Sequence, residues 1–321
     1  MSSSPVRAPS AWLRLLRVPN LLTVPGDPVA GFLLASPDRV VEPGPLLAAI
    51  GASLCFYGAG LVTNDLADLA EDRRDRPGRP LPAGDIRSSA ALAVAVCLFA
   101  AALAISWILG GPARLVGLAL LFSILLYNLG AKKIPYLGAL VMGLCRGFSL
   151  LLGAAATSAG EWHVPQVMLS FDILVLYVGS ITHLAREEIT PRRLGASRWA
   201  PAFVLGAAFA LLSQFQPVTE TATVLIFTGG FVFAAILTLS VGDALEAALP
   251  TEAPRAVFVI DHELRSWLVP RLIGLLLGTI PLLQASLVAA ANAGEPSMLW
   301  GVTLLAVWPI HRMLSRRFSE S

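Results

Sequence analysis

Ten apolar runs recur along this chain, and their length restricts the fold more than any other feature. They cover residues 21–36, 46–62, 88–109, 115–127, 136–157, 167–182, 201–215, 223–241, 272–291 and 298–313. A helix that crosses a bilayer needs about 20 apolar residues, within a range of about 17–25. The fourth and seventh runs fall short and the last is marginal, so the pattern predicts nine or ten spans. Composition points the same way. Hydrophobic residues make up 56% of the chain and charged ones 14%, against about 25% charged in a soluble domain. Too little polar material is present to cover such a chain in water, so its surroundings are partly lipid. The expected class is an all-α polytopic membrane protein, one transmembrane domain over 1–321 with its helical bundle at 20–315.

The basic residues test that count. With the N-terminus inside, the inner segments near 7–17, 73–87, 132–133, 186–198, 255–271 and 312–317 hold nearly every Lys and Arg. Only Arg39 and Arg114 fall on the other side, and Arg146 lies within a span. Such one-sidedness is the positive-inside pattern. It predicts a cytoplasmic N-terminus in an inner (plasma) membrane of bacterial type, and nothing in it points to nucleic acid or names a protein partner. The N-terminal segment, 1–19, has Trp12, Leu13, Leu15 and Leu16 beside Arg14 and Arg17, which suits an interfacial amphipathic helix rather than a cleaved leader. Cys55, Cys97 and Cys145 sit in apolar runs without metal or disulfide spacing and read as small core residues.

The second apolar run leads straight into TNDLADLAEDRRDRPGRPLPAGDI. Continued as a helix, Asn64, Asp68 and Asp72 fall at i, i+4 and i+8 on one face. Unpaired acids on one face repel each other, so stability alone does not explain the pattern. Two carboxylates and an amide oxygen suit Mg2+, which takes one or two carboxylates, waters and phosphate oxygens. A solvated helix end whose acids pair with Arg73, Arg74 and Arg76 is the bland alternative. Guanidinium groups, Arg79 among them, also fork well onto phosphate. Pro77, Pro80 and Pro82 then stop the helix. A weak echo of this stretch, REEITPRRLGAS, follows the sixth run and hints at a repeat.

NDLADLAED fits the NDxxDxxxD motif of the UbiA superfamily of intramembrane prenyltransferases, and RPGRPLPAG resembles the segment that follows it there. RLLRVPNLLTVPGDPVAGFLLA looks like the family's first helix, and YNLGAKKIPYLGALVMGLCRGFSLLLG resembles its fourth-to-fifth helix region. The wording of that segment and of YVGSITHLAREEI is most similar to the EboC-like subgroup. The resemblance runs over about 12–199. It implies a UbiA-type bundle around a central cavity with a cytoplasmic mouth. It also implies Mg2+-assisted transfer of an isoprenoid chain from its diphosphate to a lipophilic or aromatic acceptor, within membrane lipids. By position in the matching motifs, Asn64, Asp68 and Asp72 would hold metal, with Asp68 and Asp72 central to catalysis. Lys132 and Arg146 would bind diphosphate.

Two intramembrane charges stand apart. Arg146 inside a span is expensive unless it faces a partner or a wet cavity. Asp27, in PGDP, is equally placed to line a site or to pair with it. Asn20 reads as a substrate contact or as an interfacial cap. The family's second acidic motif, usually DxxxD at the end of the sixth span, is altered here to ITHLAREEI. His183 and Glu187 keep the i, i+4 spacing, but His is a poor Mg2+ ligand. Glu187 is thus a weak metal candidate, Glu188 faces elsewhere, and Arg186 offers positive charge where a second cation would sit. The change opens another reading, a non-catalytic relative that binds or moves a lipid-like or aromatic metabolite. A CDP-alcohol phosphotransferase would need a DGxxAR arrangement, which is absent.

Overall fold

The structure, a computed structural model, describes residues 8–36, 41–157, 162–186, 194–215, 220–248, 268–269, 271–291 and 293–318. Among the described residues every regular element is helical. Helices α1 (Ala8–Leu15), α2 (Val18–Leu21) and α3 (Gly26–Ala35) lead into α4 (Pro43–Ala67) and its short continuation α5 (Leu69–Asp75). There follow α6 (Ser88–Leu109), α7 (Ala113–Leu129), α8 (Leu137–Ala155), α9 (Pro165–Ala185), α10 (Ala200–Phe215) and α11 (Thr221–Ala248). The last two are α12 (Arg271–Ala290) and α13 (Glu295–Phe318). Among the described residues seven helices (α4, α6, α8, α9, α10 with the 3-10 turn before it, α11 and α12) are long and apolar enough to cross a membrane, and α7 is apolar but shorter.

Contacts between neighbours run α4–α6–α7–α8–α9–α10–α11–α12, and α12 returns onto α3 in the middle of the ring. The outside is greasy. On α6, Leu92 and Ile108 are 54% and 83% exposed, while the inward stripe of Ala91, Ala95, Ala102 and Ser106 is fully buried. Small residues on that stripe let α6 lie close against α4. This inverts the polar-out pattern of a soluble bundle and agrees with a lipid surround.

The first apolar run departs from a single span. Helix α2 ends at Leu21 and α3 begins at Gly26. Pro25 precedes α3 and Pro28 sits in its first turn, where the missing N–H breaks no bond. At ten residues α3 is about 15 Å long, and all of it is buried. It is an interior half-helix, clamped to α8 by a reciprocal contact. The Leu150 carbonyl lies where a Cβ on Gly31 would stand, and the Pro28 carbonyl lies where a Cβ on Gly153 would stand. Helix α12 is broken in the same spirit. A turn at Thr279 precedes Pro281, and the Thr279 hydroxyl bonds to that of Tyr177.

The interfacial segment is also more tied down than a surface helix. Ala11 and Leu15 of α1 are buried with Val62, Leu81 and Ile86, at the end of α4 and in the proline loop. The cysteines are free, but Cys97 is exposed on α6 rather than in the core. The stretch 187–193 that carries the echo of the first motif lies outside the described residues.

Gly153→Ala is expected to destabilise the protein by about 1–3 kcal/mol, because a methyl group would displace backbone rather than a movable side chain. Gly51, with open space where its Cβ would stand, should accept Ala with no loss. Thermal melting of the two variants in one detergent separates the cases.

Candidate functional site

Inside the ring is a cavity of about 350 Å³, walled by the α2–α3 break, α4, α7, α8, α9 and α12. Arg17, Asn20, Asn64, Tyr127, Asn128 and Thr182 give it one polar end. Phe56, Leu120, Ile124, Met142, Val178 and Ile181 make the walls apolar. Ser53 and Ser149 also line it, and their hydroxyls bond to each other at 3.1 Å. Ser53 and Asn64 lie on one helix, about 16 Å apart along its axis.

The acidic motif reaches this polar end, though not as one straight stripe. Asp68 sits between α4 and α5 with φ −90° and ψ 1°. The hydrogen-bond ladder continues across it, from the Asp68 N–H to the Asn64 carbonyl (3.0 Å) and from the Asp72 N–H to the Asp68 carbonyl (2.8 Å). The bend splits the expected trio. Lys132 Nζ donates to Asn64 Oδ1 at 3.0 Å and to Asp68 Oδ1 at 2.6 Å. Asp72, buried, instead receives Arg79 Nη1 at 2.8 Å from the proline loop. Asp65 lies off the expected face and is buried as well, paired at 3.1 Å with Arg17. Arg17 itself takes a left-handed backbone, φ 47°. Among the described residues no three Asp, Glu, His or Cys side chains gather as a metal set.

Lys132 arrives from a single 3-10 turn, Ala131–Lys133, between α7 and α8. Asn128 fixes its register. Its Nδ2 donates to the Gly60 carbonyl at 3.1 Å and to Thr63 Oγ1 at 2.8 Å, pinning α7 to α4 one turn before Asn64.

Arg146 lines the cavity, yet its charge is met from within the protein. Its Nε stands 2.8 Å from Asp27 Oδ2, and Nη2 donates to Asp27 Oδ1 (3.1 Å) and to the Thr23 carbonyl (2.7 Å). Gln284 Nε2 donates to that same carbonyl (2.7 Å) and to Asp27 Oδ1 (2.6 Å). Gly26 makes room, since a Cβ there would strike the Gln284 amide. Asp27 is therefore the partner of Arg146, and is fully buried. Asn20 lines the cavity, and its carbonyl accepts the Thr23 hydroxyl at 2.8 Å.

At the end of α9, the His183 ring stacks on Tyr136 with centroids 5.1 Å apart. Arg186 Nη2 donates to the Lys133 carbonyl at 3.4 Å. Glu187 and Glu188 lie outside the described residues, as does the whole 249–267 loop. Asp243 and Glu246, near the end of α11, both serve as acceptors. Asp243 accepts from Arg198 and Trp199, and Glu246 from the Leu194 and Gly195 N–H groups.

A broken first helix, an Asn/Asp motif at the end of α4 and a lysine opposite it surround one cavity, and the sequence matches the UbiA prenyltransferase family over residues 28–238. The chain belongs to the UbiA prenyltransferase family. It is thus an integral membrane protein. Digeranylgeranylglyceryl phosphate synthase of Saccharolobus solfataricus is 29% identical over 179 residues, 56% of this chain and 61% of that one. The match thus takes in about three fifths of that relative's length. The synthase of Ignicoccus hospitalis is 27% identical over 244 residues, 71% of this chain and 77% of its own. A UbiA homologue from Aeropyrum pernix K1 shares the fold with a TM-score of 0.61 at 19% identity, covering 83% of this chain and 96% of its own. Another, from Archaeoglobus fulgidus bound to GPP and Mg2+, gives 0.53 at 14% identity, covering 84% and 99%.

Sequence reasoning missed Gln284, Asp65 and Asn128 at this site. Gln284 had a signal, a lone amide within an apolar run. Removing one partner of the Asp27–Arg146 pair leaves a buried charge, so Arg146→Met is expected to cost about 3–5 kcal/mol. Asp27→Asn combined with Arg146→Met should recover most of that loss. A double-mutant cycle by thermal unfolding checks the coupling.

Proposed function

We propose that this chain is an intramembrane prenyltransferase, moving an isoprenoid chain from a prenyl diphosphate to an acceptor with Mg2+. One observation carries the reading. Asn64 Oδ1 and Asp68 Oδ1 already converge on a single cation, the Lys132 ammonium, where Asn64 lines the polar end of the cavity. The names of the relatives support it.

These oxygens fit the proposed metal. Both are hard donors close enough to share one cation, and Mg2+ asks for one or two carboxylates beside water and phosphate oxygens. When bound, Mg2+ would offset the charge that gathers on diphosphate as the allylic C–O bond breaks. Asn64 and Asp68 are the proposed holders. Asp72, bonded to Arg79, is proposed to fix that loop next to the site, so that Arg79 faces the diphosphate side. Lys132 has three donors and spends two on Asn64 and Asp68. Its charge stabilises the leaving diphosphate. The apolar wall from Phe56 to Ile181 holds the chain and keeps water from the carbocation-like carbon. Arg146, neutralised by Asp27, shapes the cavity rather than gripping phosphate.

The acceptor is read as aromatic, from the sequence resemblance, or as a glyceryl phosphate alcohol, from the relatives' names. The reading also includes one domain over 1–321, a cytoplasmic mouth in a bacterial plasma membrane, Glu187 as a further oxygen donor, and the EboC-like affinity. A second reading, a non-catalytic binder, draws on the pairing of Asp65, Asp68 and Asp72 each with a cation.

Purified protein given geranylgeranyl diphosphate and either 4-hydroxybenzoate or glycerol 1-phosphate should release diphosphate only with Mg2+. Asp68→Asn is expected to lower that rate by roughly 10²–10³-fold, the scale of a lost electrostatic stabiliser. Tight binding of the diphosphate without turnover on any acceptor would favour the binder. Full activity in both Asp68→Asn and Asn64→Ala would remove the site assignment.

A further inference from the structure

We propose that Arg186 supplies the second positive charge on the diphosphate, so that the site works with a single divalent cation. The inference rests on the diphosphate reading above and names what this chain uses beside the metal. A diphosphate ester carries about three negative charges near neutrality, and one divalent cation offsets two of them. Another cation must face the remaining charge as the leaving group departs.

The basic residues bonded into this mouth are mostly committed. Arg17 meets Asp65, Lys132 meets Asp68 and Arg79 meets Asp72. Arg186 differs from them. Among the described residues its Nη2 touches only a neutral group, the Lys133 carbonyl at 3.4 Å, and its Nη1 is buried with no hydrogen-bond partner. A charged donor taken from water and left without an acceptor is costly. Attraction to the negative end of α9 would account for an arginine here, but such a side chain would leave its free nitrogen in water.

Its position suits an anion. Thr182 and Ala185, in the last turn of α9, line the cavity, and Arg186 follows directly. The turn that receives Nη2 is the one that carries Lys132. His183 adds a second orphan, since its Nδ1 is buried without a partner while the ring is held on Tyr136. In the tautomer with a proton on Nδ1 it is another donor. A guanidinium and an imidazole thus stand together at the end of α9 beside the cavity, and both groups bind phosphate oxygens directly.

The test uses the full purified chain with Mn2+ and inorganic pyrophosphate as probes. Electron paramagnetic resonance counts bound Mn2+, and calorimetry gives the pyrophosphate affinity. One Mn2+ per chain is expected at saturating pyrophosphate. Arg186→Gln should weaken pyrophosphate binding at least tenfold with the Mn2+ count unchanged. Arg186→Lys should restore part of the loss, and Lys133→Gln, on the same turn, should have no effect. Two Mn2+ per wild-type chain overturn the proposal even if Arg186→Gln fails to fold, as does undiminished binding by a folded Arg186→Gln. Failure of the wild-type chain to bind pyrophosphate with Mn2+ brings down the diphosphate reading itself, together with this inference.

Discussion

The whole interior hangs on how one freed carbonyl is satisfied. In hydrocarbon a backbone polar group without a partner is expensive, so a helix is broken only where side chains step in. At the α2–α3 break the Thr23 carbonyl receives two such donors, Arg146 Nη2 and Gln284 Nε2. Both also reach Asp27, on the first turn of α3. Four segments meet there: the break, α3, α8 and α12. The glycine contacts between α3 and α8 set the distance at which that meeting occurs. The cavity is the space left beside it.

This arrangement explains which parts of the sequence could be read in advance. Long apolar runs report helices well, because the bilayer imposes one length on every full span. Charge asymmetry sorts loops for the same reason. What such patterns do not carry is the direction a short helix takes after a bend. Asn64, Asp68 and Asp72 have ideal helical spacing, yet the turn at Asp68 separates the first two from the third. The partner of Asp72 is Arg79, seven positions on, and only the fold of the proline loop decides that. The run at 21–36 shows the same gap: Pro25, Gly26 and Pro28 mark a break in the helix, while hydropathy averages across it.

Asp27 and Arg146 show where legibility ends. Each is conspicuous as an intramembrane charge, and an ion pair is one of the arrangements its position allows. Gln284, the residue that completes the set, lies 257 positions from Asp27 and was hidden in an apolar run. At the mouth the same logic holds for charge. Three acids and three bases are matched one to one, a bookkeeping that no linear spacing displays. Arg186 emerges by contrast with that matching rather than by any motif.

The short, buried α3 has a consequence for how the protein is made. An ordinary span can enter the bilayer as it leaves the ribosome, since its backbone is self-sufficient. Helix α3 is not, because it carries Asp27 and follows an unwound segment. Its first protein partner, Arg146, is synthesised 119 residues later, and its second, Gln284, only near the end of the chain. The centre of the finished molecule is thus translated early, while the two side chains that satisfy its charge and its freed carbonyl are translated late.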